Sequence, residues 1–213
     1  MRQSGGGREV TLDKPALICR WRMSNKKVPM LNRHIRALSE RLVQGEPLTH
    51  NMLSWAKQHV EWSLAEGDYT ARDGVLMLVI DINGNAAMTV GEYEPLADTS
   101  AKALRARSAE ARSEADETGV APELLAAVNN GELAFVAPAD ECLCGTATLI
   151  EQLAQTKGIP VTRVDIPAQL KGALFLVSDE HGVVPATETD AAEADAATVA
   201  FFADGYEKLR ARR

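Results

Sequence analysis

The chain is 213 residues long, 46% hydrophobic and 25% charged, with a net charge of -7, a composition that fits one large or two small globular domains. The acidic balance argues against a nucleic-acid surface, which needs clustered Lys and Arg to neutralise phosphates. No apolar run reaches the roughly 18 residues of a membrane span, and three cysteines, two of them close together at Cys142 and Cys144, make no disulfide framework.

The start, Met1 to Arg8, is Gly-rich and has no apolar core of a signal peptide, so a flexible end and a cytoplasmic location are expected. Ala16 to Met23 reads as a strand, followed by a polar turn at Ser24 to Lys27. A helix is expected from Asn32 to Val43, because Ile35, Leu38 and Leu42 recur at i, i+3 and i+7; Gly45 would cap it. Thr49 suits the N-cap of a second helix that runs to Glu66 and stops at Gly67. Val75 to Ile80 and Ala86 to Tyr93 read as a hairpin around Asn83-Gly84.

From Ala97 to Thr118 the chain is rich in Ala, Arg, Glu and Ser, which favours a helix by propensity but offers few large apolar side chains. It suits a junction. Glu123 to Val128 fits a short helix or strand, Asn129-Asn130-Gly131 a turn, and Leu133 to Val136 a strand. A helix is expected over Thr148 to Lys157, then strands over Ile159 to Ile166 and Leu170 to Val177, an extended Val183 to Pro185, and a last helix from Ala197 to Arg210. His34, His50, His59 and His181 share no metal-ligand spacing, and Cys142-Leu143-Cys144 lacks a second pair, so no metal site is expected.

Several segments, in order, resemble the class IV pyridoxal-phosphate (PLP) aminotransferases, a group that includes D-amino acid and branched-chain aminotransferases and aminodeoxychorismate lyases. Val28 to Leu38 resembles their H-x-x-R-L helix start. Leu143-Cys144-Gly145-Thr146-Ala147-Thr148 resembles L-P-G-x-T-R, and Gly158-Ile159-Pro160-Val161 resembles G-I-P-V. The resemblance implies an α/β (α+β) fold in two parts: an N-terminal α/β unit over 16–97 and a C-terminal β-rich unit with helices over 120–213. A helical junction over 98–119 would join them, and 1–15 would precede them. It also implies a homodimer and a small-molecule ligand.

PLP chemistry needs a lysine for the Schiff base, a carboxylate for the pyridine nitrogen and a phosphate cup. By position, Lys102 is the candidate catalytic lysine. Arg36, Thr146 and Thr148 are the candidate phosphate ligands. The site nevertheless looks eroded. The family arginine falls on Ala37 and the family hydroxyl on Ala147. The family's E-G segment is missing, with only Glu123 and Glu132 nearby. Asp179-Glu180 stands where hydroxyls would serve the phosphate, and carboxylates aimed there would repel a dianion. The leading expectation is therefore a scaffold with lost or altered PLP chemistry. The alternatives are a working aminotransferase or lyase that uses Lys102, and an unrelated small α/β binding module.

Overall fold

The computed structural model describes residues 12–67, 71–188 and 190–212. The Gly-rich start lies outside them. The N-terminal half contains β1 (Pro15–Met23), α1 (Leu31–Ser39), β2 (Leu42–Val43), β3 (Glu46–Pro47), α2 (His50–Glu66), β4 (Gly74–Asp81) and β5 (Ala86–Gly91). Along β1 the side chains of Leu17, Cys19, Trp21 and Met23 are buried, while Arg20 and Arg22 point the other way, as the two-residue period of a strand dictates. β1 and β5 both pair antiparallel with β4, giving the order β1-β4-β5. Ala56, Val60 and Leu64 of α2 pack onto this sheet with Leu76, Leu78 and Ile80.

The first helix is shorter than its apolar spacing predicts. It ends at Ser39, and Leu42–Val43 pairs with Glu46–Pro47 in a small hairpin. Gln44 and Gly45 both have positive φ, 53° and 83°, which is the geometry of a two-residue hairpin turn. Gly45 therefore turns a hairpin and caps no helix. Leu42, 58% exposed, does not extend the buried stripe of α1. The second helix follows expectation: Thr49 Oγ1 accepts from the Met52 N–H at 3.2 Å.

The C-terminal half contains α3 (Ala101–Thr118), β6 (Leu124–Asn129), β7 (Glu132–Val136), α4 (Gly145–Thr156), β8 (Val161–Val164), β9 (Ala173–Ser178), β10 (Gly182–Pro185) and α5 (Glu193–Arg210). The segment left open between helix and strand is the strand β6. The sheet order is β10-β9-β6-β7-β8. All neighbours are antiparallel except β7 and β8, which α4 connects as a crossover. Phe135, Phe175 and Phe202 of α5 fill the main core of this half.

α3 joins the halves. Its N-cap is Ser100, whose Oγ accepts from the Ala103 N–H, and it stops at Gly119 with φ 66°. A side chain at Gly119 would collide with the Ala16 carbonyl, 2.2 Å from an added Cβ. The helix packs against β1 on one side and against β6 and β9 on the other. Its few buried residues, Leu104, Ser108 and Ala111, suffice for that position. Ser108 Oγ donates to the Glu123 carbonyl and accepts from the Leu125 N–H, both at 3.1 Å, pinning the strand that follows.

Candidate functional site

A cavity of about 560 Å3 lies where the halves meet. Its walls come from β1 (Cys19, Arg20, Trp21), α1 (His34, Ala37), α3 (Arg107, Ala111, Glu114), the segment entering β6 (Pro122, Glu123) and the β9–β10 turn (Ser178 to His181). Such size and position, between two units, are typical of small-molecule sites.

One wall is closed by Asp179. Its carboxylate sits at the N-terminus of α4 and accepts from the N–H groups of Gly145 (3.3 Å) and Thr146 (2.7 Å) and from the Thr146 hydroxyl (2.8 Å). These N–H groups are unpaired within the helix and carry its positive dipole end, so they favour an anion. His34 Nδ1 lies 3.2 Å from Asp179 Oδ2, and the His34 ring stacks on Trp21 at 5.4 Å. Burial alone would raise the Asp179 carboxyl. Attraction to the neighbouring His34 imidazole and the donors of Thr146 outweigh burial and hold it at about 2. Gly145 permits this closeness, because an added Cβ would come within 2.5 Å of His34 Nδ1. Nearby, burial and the Asp179 charge push the Cys19 thiol up to about 12 and raise Cys144 as well. Both are therefore inert thiols.

The opposite wall is charged and open. Arg20 grips Glu180 with two bonds, 2.5 and 2.7 Å. Arg107 pairs with Glu123 at 3.1 Å and with Glu110 and Glu114. His181 stands beside them, 9% exposed, with Nδ1 3.4 Å from the Tyr93 hydroxyl and Nε2 3.9 Å from Glu123. Burial lowers its pKa against the opposing pull of Glu123 and Glu180.

The residues expected from sequence do not converge. Lys102 is exposed on α3 and is not among the residues that line the cavity. Arg36 is exposed on the outer side of α1, and it is Arg33 that reaches α4, donating to Thr148 Oγ1 at 3.1 Å and to Gln152. Thr148 also donates to the Gly145 carbonyl. Thr146 is at the α4 N-terminus as expected, and its donors go to Asp179. Ala147 is fully buried, and Glu132 is exposed on β7. Glu123, named from sequence only as a nearby carboxylate, does line the cavity. Glu180 and His181 join it there, a grouping that no sequence spacing could announce.

No family profile and no curated protein matches the chain in sequence. Solved structures do match. A hypothetical aminotransferase from Mycobacterium tuberculosis, in its apo form, aligns over 100% of this chain and 96% of that one, with TM-score 0.64 and 14% identity. A Thermotoga maritima protein described as a branched-chain amino acid aminotransferase aligns over 97% and 92%, with TM-score 0.61 and 15% identity. A protein described as a 4-amino-4-deoxychorismate lyase aligns over 95% and 98%, with TM-score 0.61 and 15% identity. The chain has the class IV aminotransferase fold. Identity this low speaks for the fold and leaves the chemistry to the site.

The site fits PLP poorly. Among the described residues no lysine lines the cavity. The N–H groups of the α4 N-terminus already hold a carboxylate of the chain itself.

Proposed function

We propose that this protein uses the class IV aminotransferase fold as a small-molecule binding scaffold, without PLP Schiff-base chemistry. The observation that carries the reading is Asp179. A phosphate dianion would have to displace a largely buried carboxylate held by three donors and flanked by His34, and two anions repel each other strongly at one such position. The exposure of Lys102 supports the same reading. The cavity between the halves is the ligand site, and its wall carries two more carboxylates than guanidiniums, which favours a cationic or amine-bearing occupant. We take 16–97 and 120–213 as the two domains, 98–119 as their junction and a homodimer as the assembly, which size-exclusion chromatography with light scattering checks. Among the described residues no helix is long and apolar enough to cross a membrane.

The test is a titration of the purified protein with PLP, followed by absorbance. The expected spectrum is that of free cofactor. A band at roughly 410–430 nm, a property of the bound cofactor, that disappears in Lys102→Ala would overturn the reading in favour of an aminotransferase or lyase.

A further inference from the structure

We infer that Glu123, Glu180 and His181 form a site for one divalent metal ion of the Mn2+, Fe2+ or Zn2+ class on the open wall of the cavity. The inference deepens the ligand reading above by naming one occupant of the cavity.

The three side chains come from two segments far apart in sequence, and one ligand atom from each lies within 4.8 Å of the other two. A metal ion that draws them in by about an ångström would bring all three into coordination range. Two carboxylates and one imidazole are a donor set suited to borderline divalent ions, softer than calcium sites and harder than thiolate sites.

His181 provides an independent indication. Its side chain is 9% exposed, and Nε2, which makes no hydrogen bond among the described residues, faces Glu123 Oε1 at 3.9 Å. The tautomer in which Nδ1–H donates to the Tyr93 hydroxyl leaves the Nε2 lone pair directed towards Glu123, as coordination of a cation between the two requires. The Tyr93 contact resembles the outer partners that orient metal-bound imidazoles.

Arg20 and Arg107 do not block the site. Each carboxylate offers about four lone-pair directions. Arg20 takes one direction on each Glu180 oxygen and Arg107 one on Glu123 Oε2, which fixes both carboxylates and leaves Glu123 Oε1 facing His181. The excess of carboxylates on the cavity wall leaves net attraction for a cation.

The experiment uses the full chain without an affinity tag and Mn2+ alone as the probe, which discriminates against the three thiols. Binding is read by electron paramagnetic resonance of free Mn2+ and by calorimetry. The expected result is one saturable ion per chain, weakened at least about tenfold in Glu123→Gln and in His181→Gln and unchanged in Glu132→Gln, a carboxylate outside the cavity. Circular dichroism confirms that each variant is folded. If one variant does not fold, Glu180→Gln takes its place. No saturable binding overturns the inference, and so does binding that the cavity variants leave intact. The PLP titration shares no readout with this one, so either proposal can fail alone.

Discussion

Two neighbouring carboxylates, Asp179 and Glu180, face opposite walls of one cavity and end in different states. Asp179 turns inward, where helix N–H groups, a hydroxyl and an imidazole satisfy it. Glu180 turns to the open wall, where Arg20 holds it beside Glu123 and the Nε2 of His181. The contrast teaches that charge near a cavity is not by itself a sign of ligand binding. A carboxylate locked onto a helix N-terminus is structure, and carboxylates gathered around an imidazole nitrogen that faces the cavity are open to chemistry.

If the closed wall is structural, breaking it should cost stability most. Asp179→Ala orphans two helix N–H groups and the Thr146 hydroxyl, and should destabilise the fold by about 3 kcal/mol in urea unfolding. The next effect tests the close approach of α1 and α4. Gly145→Ala drives a methyl into His34 and should cost about 2 kcal/mol by overpacking, while leaving the charged wall unchanged.

The same wall should respond to acid. The Asp179 carboxyl is held at about 2, below its ordinary 3.8. Its contribution is therefore complete above about pH 4 and is lost as pH falls towards 2 through the folded value, a total of about 2 kcal/mol. The stability gap between the natural chain and Asp179→Asn should shrink over that interval. A gap independent of pH would mean that Asp179 acts through shape rather than charge. A smaller effect is expected from Arg33→Ala, which removes two bonds between α1 and α4 and should cost about 1 kcal/mol. Smallest of all, Lys102→Ala should change neither melting temperature nor cavity binding.

Much of the fold was legible because it rests on short-range rules. The period of two in β1, the Thr49 cap, the Asn83-Gly84 turn and the Asn130-Gly131 turn are all local signals. The misread places share a cause. Leu42 fits the spacing of α1, yet two positive-φ residues after it are cheaper as a hairpin turn than as a helix end. α4 begins at Gly145, before its apolar stripe, because Cys144 and Asp179 satisfy its first N–H groups. The ordered resemblance was sufficient to name the fold. The departures from the family pattern at Ala37 and Ala147 were legible, but Asp179 could be read only as a repulsive charge. That its carboxylate fills the anion position, and that Glu123 meets His181, depends on contacts between residues some thirty to sixty positions apart.

The backbone of Asp179 matters as well as its side chain. Its carbonyl accepts the Arg22 N–H of β1 at 2.9 Å, while its carboxylate holds α4 and its flank meets α1. The sheet of one half and a helix of the other are thus fastened through one residue, and separating them requires all those bonds to break together. Coupling of this kind favours unfolding of both halves together, and the Arg22 amide is expected to be among the slowest to exchange its hydrogen.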